Sequence, residues 1–317
     1  AACAPGERRV RELIDRFGHR AIRTGFRQAI DVVERSTREL LKELPDGDVE
    51  AEGFMDDDGR GGPPTRIHAR ITKERDRLTV DLSGSALQVA GAFNVPWAST
   101  RASVVYALRA MTDPSMTAND GLLRPLRIIC PRGTVLNPDP PAAVSVRHNT
   151  CQRLADVLVR AFSELWPSRA VASSTVTFAA MNLSSRSPTT GHRSVLSDVL
   201  GGGTGAHPDG PGLDGVDTYM ANVGLMPVEV AETNYSVRIL RTELIEGSQG
   251  RAAQDGAAAR LVLGRHSSAG PVPPGRPGLC ADGYALPGPH RAAGLTRVGR
   301  GRGHAGRLCP AHPQHPA

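Results

Sequence analysis

The sequence predicts an α+β fold: mixed, largely antiparallel sheets with several packed helices, followed by a disordered basic C-terminal tail. Three observations carry this expectation. Residues 65–83 alternate apolar and polar side chains with period two. Residues 26–44 and 152–165 place apolar side chains at helical spacing. Strand-like and helix-like stretches do not alternate regularly, as a doubly wound parallel sheet would require.

The elements follow in order. The first 45 residues read as helical, with Phe26, Ile30, Val33, Thr37, Leu40, Leu41 and Leu44 on one face. Gly18 and Gly25 weaken a single long helix, so two helices are expected, and Pro45-Asp46-Gly47 ends them. Ile67, Ala69 and Ile71, then Leu78, Val80 and Leu82, form a hairpin around a charged turn at 74–76. Asp56-Asp57-Asp58 before glycine-rich 59–62 reads as a solvated turn. A helix is expected at 98–111, with short strands marked by Leu126, Ile128 and Val135. The amphipathic helix at 152–165 carries Leu154, Val157, Leu158, Ala161, Phe162 and Leu165 on one face and is closed by Trp166-Pro167. Residues 171–180 are rich in β-formers, 201–215 form a glycine loop, and 228–245 read as extended.

The chain has 317 residues, enough for one large or two ordinary domains. Its net charge of +6 suggests nucleic acid until the charge is located. Residues 251–317 hold nine Arg and two acids, so the remaining 250 residues carry a net charge of −1. Of those last 67 residues, 43 are Gly, Ala, Pro or Arg, and no apolar period survives except at 257–263. Such a composition buries too little to offset chain entropy. The expected organisation is therefore a domain at 1–250 and a low-complexity tail at 251–317. The abrupt change fits a reading-frame slip in a GC-rich gene; a natural basic tail is the competing reading. Nucleic-acid binding is not expected. Cys130 and Cys151 sit in apolar-periodic segments and none of the five cysteines forms a CxxC pair, which suits reduced thiols in the cytoplasm. No membrane span or signal peptide is visible.

Two segments hold candidate binding chemistry. In residues 81–94, DLSGSALQVAGAFN, a strand ends at Asp81-Leu82-Ser83 and Gly84 permits a turn. Ser83, Ser85 and Asn94 can hydrogen-bond the carbonyl or amide of a small polar ring, or can cap the backbone of a strand-ending turn. Residues 120–150 form a proline-stiffened strut that delivers Arg147, His148 and Asn149 to the start of the 152–165 helix. There, Asn149 or Thr150 is a candidate N-cap, and Arg147 with the helix terminus can receive a carboxylate. An Arg-His-Asn group that merely anchors the helix is the alternative. The glycine loop is not a phosphate loop, since no Gly-Lys-Ser/Thr follows. Asp198, His207, Asp209, Asp214 and Asp217 surround it without the spacing of a defined metal site. Glu229 and Glu232 share a face only if that stretch is helical, and can serve acid–base work or pair with Arg238 or Arg241.

Residues 81–94 resemble the D-x-S-G-S-x-x-Q-x-x-G-x-x-N signature of the hydantoinase B / 5-oxoprolinase B family. Residues 106–150 and 201–250 continue the resemblance in the right order over about 170 residues, and it extends more weakly to Arg9. The resemblance implies the B-type subunit of an ATP-dependent hydrolase that opens hydantoin or 5-oxoproline rings at an amide bond. It implies ATP bound by a hydantoinase A-like partner, with phosphorylation of the carbonyl oxygen creating a leaving group. On this reading Asp81, Ser83, Ser85, Asn94, Arg147, His148 and Asn149 bind the small cyclic amide. The family's N-terminal region carries His and Asp residues proposed to bind metal, and nothing at residues 1–20 resembles it. The chain is thus expected to be truncated at its front, with a divalent metal in the intact protein whose ligands are not identifiable here. Acetone and acetophenone carboxylase subunits share the motifs and are the alternative, as is a non-catalytic fragment that only binds partner subunits.

Overall fold

The structure is a computed structural model that describes residues 3–176, 179–186, 191, 193–221, 223–235, 237–244, 259–265 and 279–282. Helices α1 (Cys3–Phe17) and α2 (His19–Glu43) open the chain, separated at Gly18, whose φ of 80° belongs to the left-handed region. Gly25 does not interrupt α2.

Strands β1 (Gly47–Met55), β2 (Thr65–Glu74), β3 (Arg77–Asp81) and β4 (Leu126–Ile129) form a four-stranded sheet in sequential order. β1–β2 and β2–β3 are antiparallel; β3–β4 is parallel, joined by a crossover through α3 (Trp97–Met111). One face of β1 and β2 is buried. The other carries cross-strand ion pairs: Arg66 with Glu52 at 2.7 Å and Arg70 with Asp48 at 2.8 Å. A sheet wetted on one face alternates in this way. β1 lies where the sequence showed only a turn and acidic residues. Its inward positions are Val49, Ala51, Gly53 and Met55, mostly too small to give a strong apolar alternation. They are small because α4 (Arg147–Leu165) packs closely, so that a Cβ at Gly53 would lie 2.9 Å from Arg153 and Val157.

α4 is the hub. Its apolar face meets β1 and β2, α3 packs beside it, and Phe162 stacks on Trp166 with centroids 4.9 Å apart. Its polar side is also covered: Gln152, Arg153 and Asp156 are buried, contrary to the solvated face that an amphipathic pattern implies. α4 begins five residues before the expected helix start. Val135 is not in a strand; its N–H bonds Ala86 and its carbonyl accepts from Val95.

β5 (Ala179–Arg186) and β6 (Arg193–Leu200) form a second antiparallel sheet; residues 171–176, expected as strand, are irregular. Residues 228–245 were expected to be extended throughout. Instead Val228–Asn234 form a short helix, α5, after Pro227, and only then does β7 (Val237–Leu244) begin. Pro227 is the N-cap of this helix, and Glu232 reaches forward along the chain to accept the Ile239 N–H at 2.8 Å. β7 pairs with β8 (Ala259–Arg265), and β8 with β9 (Leu279–Asp282). β8 covers most of the one apolar run in the segment expected to be an unstructured tail, and β7 supplies the backbone partner that composition cannot reveal. No helix among the described residues is long and apolar enough to cross a membrane.

Candidate functional site

The loop after β3 is built from its own hydrogen bonds. Asp81 accepts the Ser83 N–H at 2.8 Å, closing an Asx turn. The Ser85 hydroxyl accepts the His68 N–H and donates to the His68 carbonyl, at 3.0 and 3.1 Å. Gly84 lies against the His68 ring, which leaves no room for a Cβ. Asn94 is fully buried: its Oδ1 accepts the Val89 N–H at 2.9 Å, and its Nδ2 donates to the carbonyls of Val89, Gly91 and Ala143. Gly91 is pinned from the other side by Asp58. That carboxylate takes N–H bonds from Arg60, Gly62 and Gly91, and a Cβ on Gly91 would collide with the Asp58 carbonyl. The bonds from Gly62 and Arg60 hold the Asp58 carboxyl below the usual carboxylate range. Asp58 is 8 % exposed, so the expected solvated turn is wrong for this residue.

Three hydrogen bonds join this loop to the end of the strut. Asn94 reaches Ala143, Val146 N–H donates to Ala92 at 3.0 Å, and the Thr150 hydroxyl donates to Phe93 at 2.7 Å. They bring Asn94 beside the segment that carries Arg147, His148 and Asn149. Asp81, Ser83 and Ser85 lie farther back, at the β3 end and against His68. The N-cap of α4 is Val146, without a side-chain bond, so the expectation of Asn149 or Thr150 as cap fails. Asn149 is already in the first turn, its N–H on the Val146 carbonyl. Arg147 is exposed and makes no ion pair among the described residues. Partial burial and the Arg147 charge push the His148 imidazole below its usual pKa. The Asn149 Oδ1 is buried with no partner among the described residues.

A second polar group lies on the covered side of α4. Gln152 donates to the Thr218 carbonyl at 2.6 Å and accepts the Met220 N–H at 3.1 Å. Asp156 accepts from the Tyr219 hydroxyl at 2.8 Å, from Ser173 at 3.1 Å and from Arg153 at 3.3 Å. Tyr219 holds a φ of 52°, uncommon for a non-glycine residue, between these anchors. Asp217 is 7 % exposed, its Oδ1 accepts only the Thr218 N–H, and its Oδ2 has no partner among the described residues. Burial pushes its pKa up to about 6. Among the described residues no group of three or more His, Cys, Asp or Glu side chains is placed to hold a metal ion.

The chain matches the sequence profile described as Hydantoinase B/oxoprolinase over residues 1–263. It belongs to the hydantoinase B/oxoprolinase family. A putative D-/L-hydantoinase chain of the B type from Pseudomonas sp. (strain NS671) is 31% identical over 255 residues, covering 77% of this chain and 43% of that protein. The crystal structure of ATP-dependent caprolactamase from Pseudomonas jessenii superposes with a TM-score of 0.73 at 26% identity, covering 83% of this chain and 47% of that one. Nucleotide-free acetone carboxylase superposes with a TM-score of 0.69 at 18% identity, over 80% of this chain and 36% of that one, a likeness of fold. The chain spans less than half the length of each. The hydantoinase B match runs to residue 263, within β8.

Sequence reasoning missed Gln152, Arg153 and Asp156, because polar residues on an amphipathic helix read as its wet face. The signal was faint: 216–220 follows the glycine loop and holds Asp217 and Tyr219, but only the fold brings it onto α4.

Proposed function

We propose that this chain carries part of the B-type subunit of an ATP-dependent cyclic-amide hydrolase, acting on a hydantoin, 5-oxoproline or a related lactam. The observation that supports it is the family match together with the likeness to ATP-dependent caprolactamase. ATP, bound by an A-type partner subunit, phosphorylates the amide oxygen and leaves as ADP; water adds to the activated carbon, the ring C–N bond breaks with the nitrogen protonated, and a second water releases phosphate from the acyl phosphate. This chain's residues receive the ring. Arg147 faces the negative charge of the phosphoryl group that joins the carbonyl oxygen. His148, held neutral near pH 7, presents an uncharged imidazole to the ring. The Asn149 Oδ1, unpartnered but enclosed, accepts the ring N–H once the first turn of α4 opens to admit it. Asp81 and Ser83 stand farther back at the β3 end, while Ser85 and Asn94 fix the loop to which the site is attached. We place this work in the cytoplasm, supported by Cys3, Cys130 and Cys151, none of which is bridged.

The test is to purify the full chain with its A-type partner and measure ADP release with hydantoin, 5-oxoproline or caprolactam. Ring-opened product formed together with ADP is the expected result. ADP release that instead requires acetone or acetophenone with bicarbonate would establish the carboxylase-type alternative, which the acetone carboxylase fold likeness favours. Co-purification with the partner but no turnover of any of these would mark a binding-only chain.

A further inference from the structure

Residues 217–220 lie across the covered side of α4, and one side chain ties them to it at two points. Gln152 donates to the Thr218 carbonyl at 2.6 Å and accepts the Met220 N–H at 3.1 Å. Between these bonds sits Tyr219, whose φ of 52° is a left-handed conformation that a tyrosine rarely adopts. Its hydroxyl reaches Asp156 at 2.8 Å, one turn farther along the helix. Thr218 is also held by its hydroxyl, which donates to the Thr175 carbonyl at 2.7 Å, and the Val216 backbone presses on Gly201, where a Cβ would have no room. The segment is thus held to α4 by side chains and not by a ladder of backbone bonds. An element held in this way can release without unfolding the sheet and helices beneath it.

Asp217 is the weak point of this arrangement. Its Oδ1 accepts only the Thr218 N–H, and its enclosed Oδ2 has no partner among the described residues. A protonated carboxyl tolerates that enclosure; a carboxylate needs more donors than are present. The charged groups nearby are engaged elsewhere. On α4, Arg153 pairs with Asp156, which also takes the Tyr219 and Ser173 hydroxyls. Residues 171–176 and 201–206 bring no ionisable side chain, and Tyr106 of α3 meets the Tyr219 ring edge-on with centroids 6.5 Å apart. Burial and the Thr218 N–H alone act on the Asp217 carboxyl, and burial dominates. We propose that residues 217–220 form a pH-sensitive strap, seated on α4 while Asp217 is protonated and lifting from Gln152 and Asp156 when it ionises. Gln152 follows Asn149 by three residues, so the strap and the helix start share one side of α4. Its release gives the first turn room to admit the ring, a consequence that rests on the ring-binding reading above, whereas the strap itself does not.

Amide hydrogen exchange, resolved to single residues and corrected for intrinsic rates, is measured on the full chain at about pH 4.5 and about pH 7.5. The closed strap holds the extra proton, so closure is favoured in acid and fades as pH rises through about 6. The Met220 amide is expected to be less protected than the β2 amides at 70–72, and to lose about 25-fold in protection between the two pH values. Asp217→Asn should keep its acid protection at the higher pH, and Gln152→Ala should lower Met220 protection at both. Met220 protection equal to that of 70–72 at both pH values would show that the segment opens only with the whole domain. A flat pH profile in the parent, or a slope that persists in Asp217→Asn, overturns the switch. The Asn149 amide should follow Met220; if it stays protected while Met220 opens, the strap does not serve the helix start.

Discussion

Asp58 and Asp217 are carboxylates of nearly equal burial, at 8 % and 7 % exposure, and they titrate in opposite directions. Asp58 collects three backbone N–H groups and clamps Gly91. Asp217 has one such bond, from its own neighbour, and a bare Oδ2. Residue exposure alone therefore does not set the charge state: three N–H donors hold the charge on Asp58, which lies nearer the surface, whereas the deeper burial of Asp217 outweighs its one donor. The same contrast separates the two regions around them. The loop at 81–94 is saturated, and its Ser85 and Asn94 are bonded to the chain's own backbone. The surface of α4 and the 216–220 segment hold strain and unpartnered oxygens, which are features that persist where surrounding structure enforces them.

Four measurements probe the difference between the saturated loop and the open corner. The largest effect is expected from Asn94→Ala. It strands buried backbone groups of residues 89, 91 and 143, and should cost about 3 kcal/mol in urea unfolding. A loss below about 1 kcal/mol would show that the loop is not held by this side chain. Next is the pH dependence of Asp217. Its folded pKa, about 6, lies above the unfolded value, so the folded state binds the extra proton between roughly pH 4 and 6. Its stabilisation is full below the unfolded value and fades as pH rises through 6. Asp217→Asn should match the parent at pH 4 and exceed it by about 2 kcal/mol at pH 8. Equal stabilities at both pH values would remove the orphan-carboxylate account. Asp58 has the reverse sign: its folded pKa is depressed, so its contribution is present above the unfolded value and is lost as pH falls through the folded one. Asp58→Asn should lower the urea midpoint at pH 7, without changing the m-value, and narrow that gap in acid. The smallest effect on stability belongs to Arg147→Ala, within about 0.5 kcal/mol for an exposed, unpaired side chain. If Arg147 meets the substrate, ring opening by the assembled enzyme should nevertheless fall in kcat/KM by at least about tenfold; unchanged kcat/KM would remove it from the site.

Much of the first sheet and all the long helices were legible, because Ile67, Ala69 and Ile71 alternate and Leu154, Val157 and Leu158 recur at helical spacing. β1 was not, since Ala51 and Gly53 are small for the sake of α4 and so carry little apolar signal. α5 was hidden because Val230 and Val237 suit a strand as well as a helix. The candidate site was legible only where residues lie close in sequence. Arg147, His148 and Asn149 stood out as a group, but the meeting of Asp156 with Tyr219 spans 63 positions and depends on folding. The role of Asp58 was misread for the same reason, since its partner Gly91 is 33 residues away.

The parallel pairing of β3 with β4 has a consequence for the order in which the molecule assembles. β1–β2 and β2–β3 close short local connections, whereas β3 meets β4 only after residues 82–125 have looped back. The entropy of closing that long loop is paid before any contact rewards it. Hairpins should therefore nucleate early, and the meeting of the 81–94 loop with the 143–150 segment should come late. The corner where these two segments meet is then the last part to be made and the first exposed when the chain partly opens.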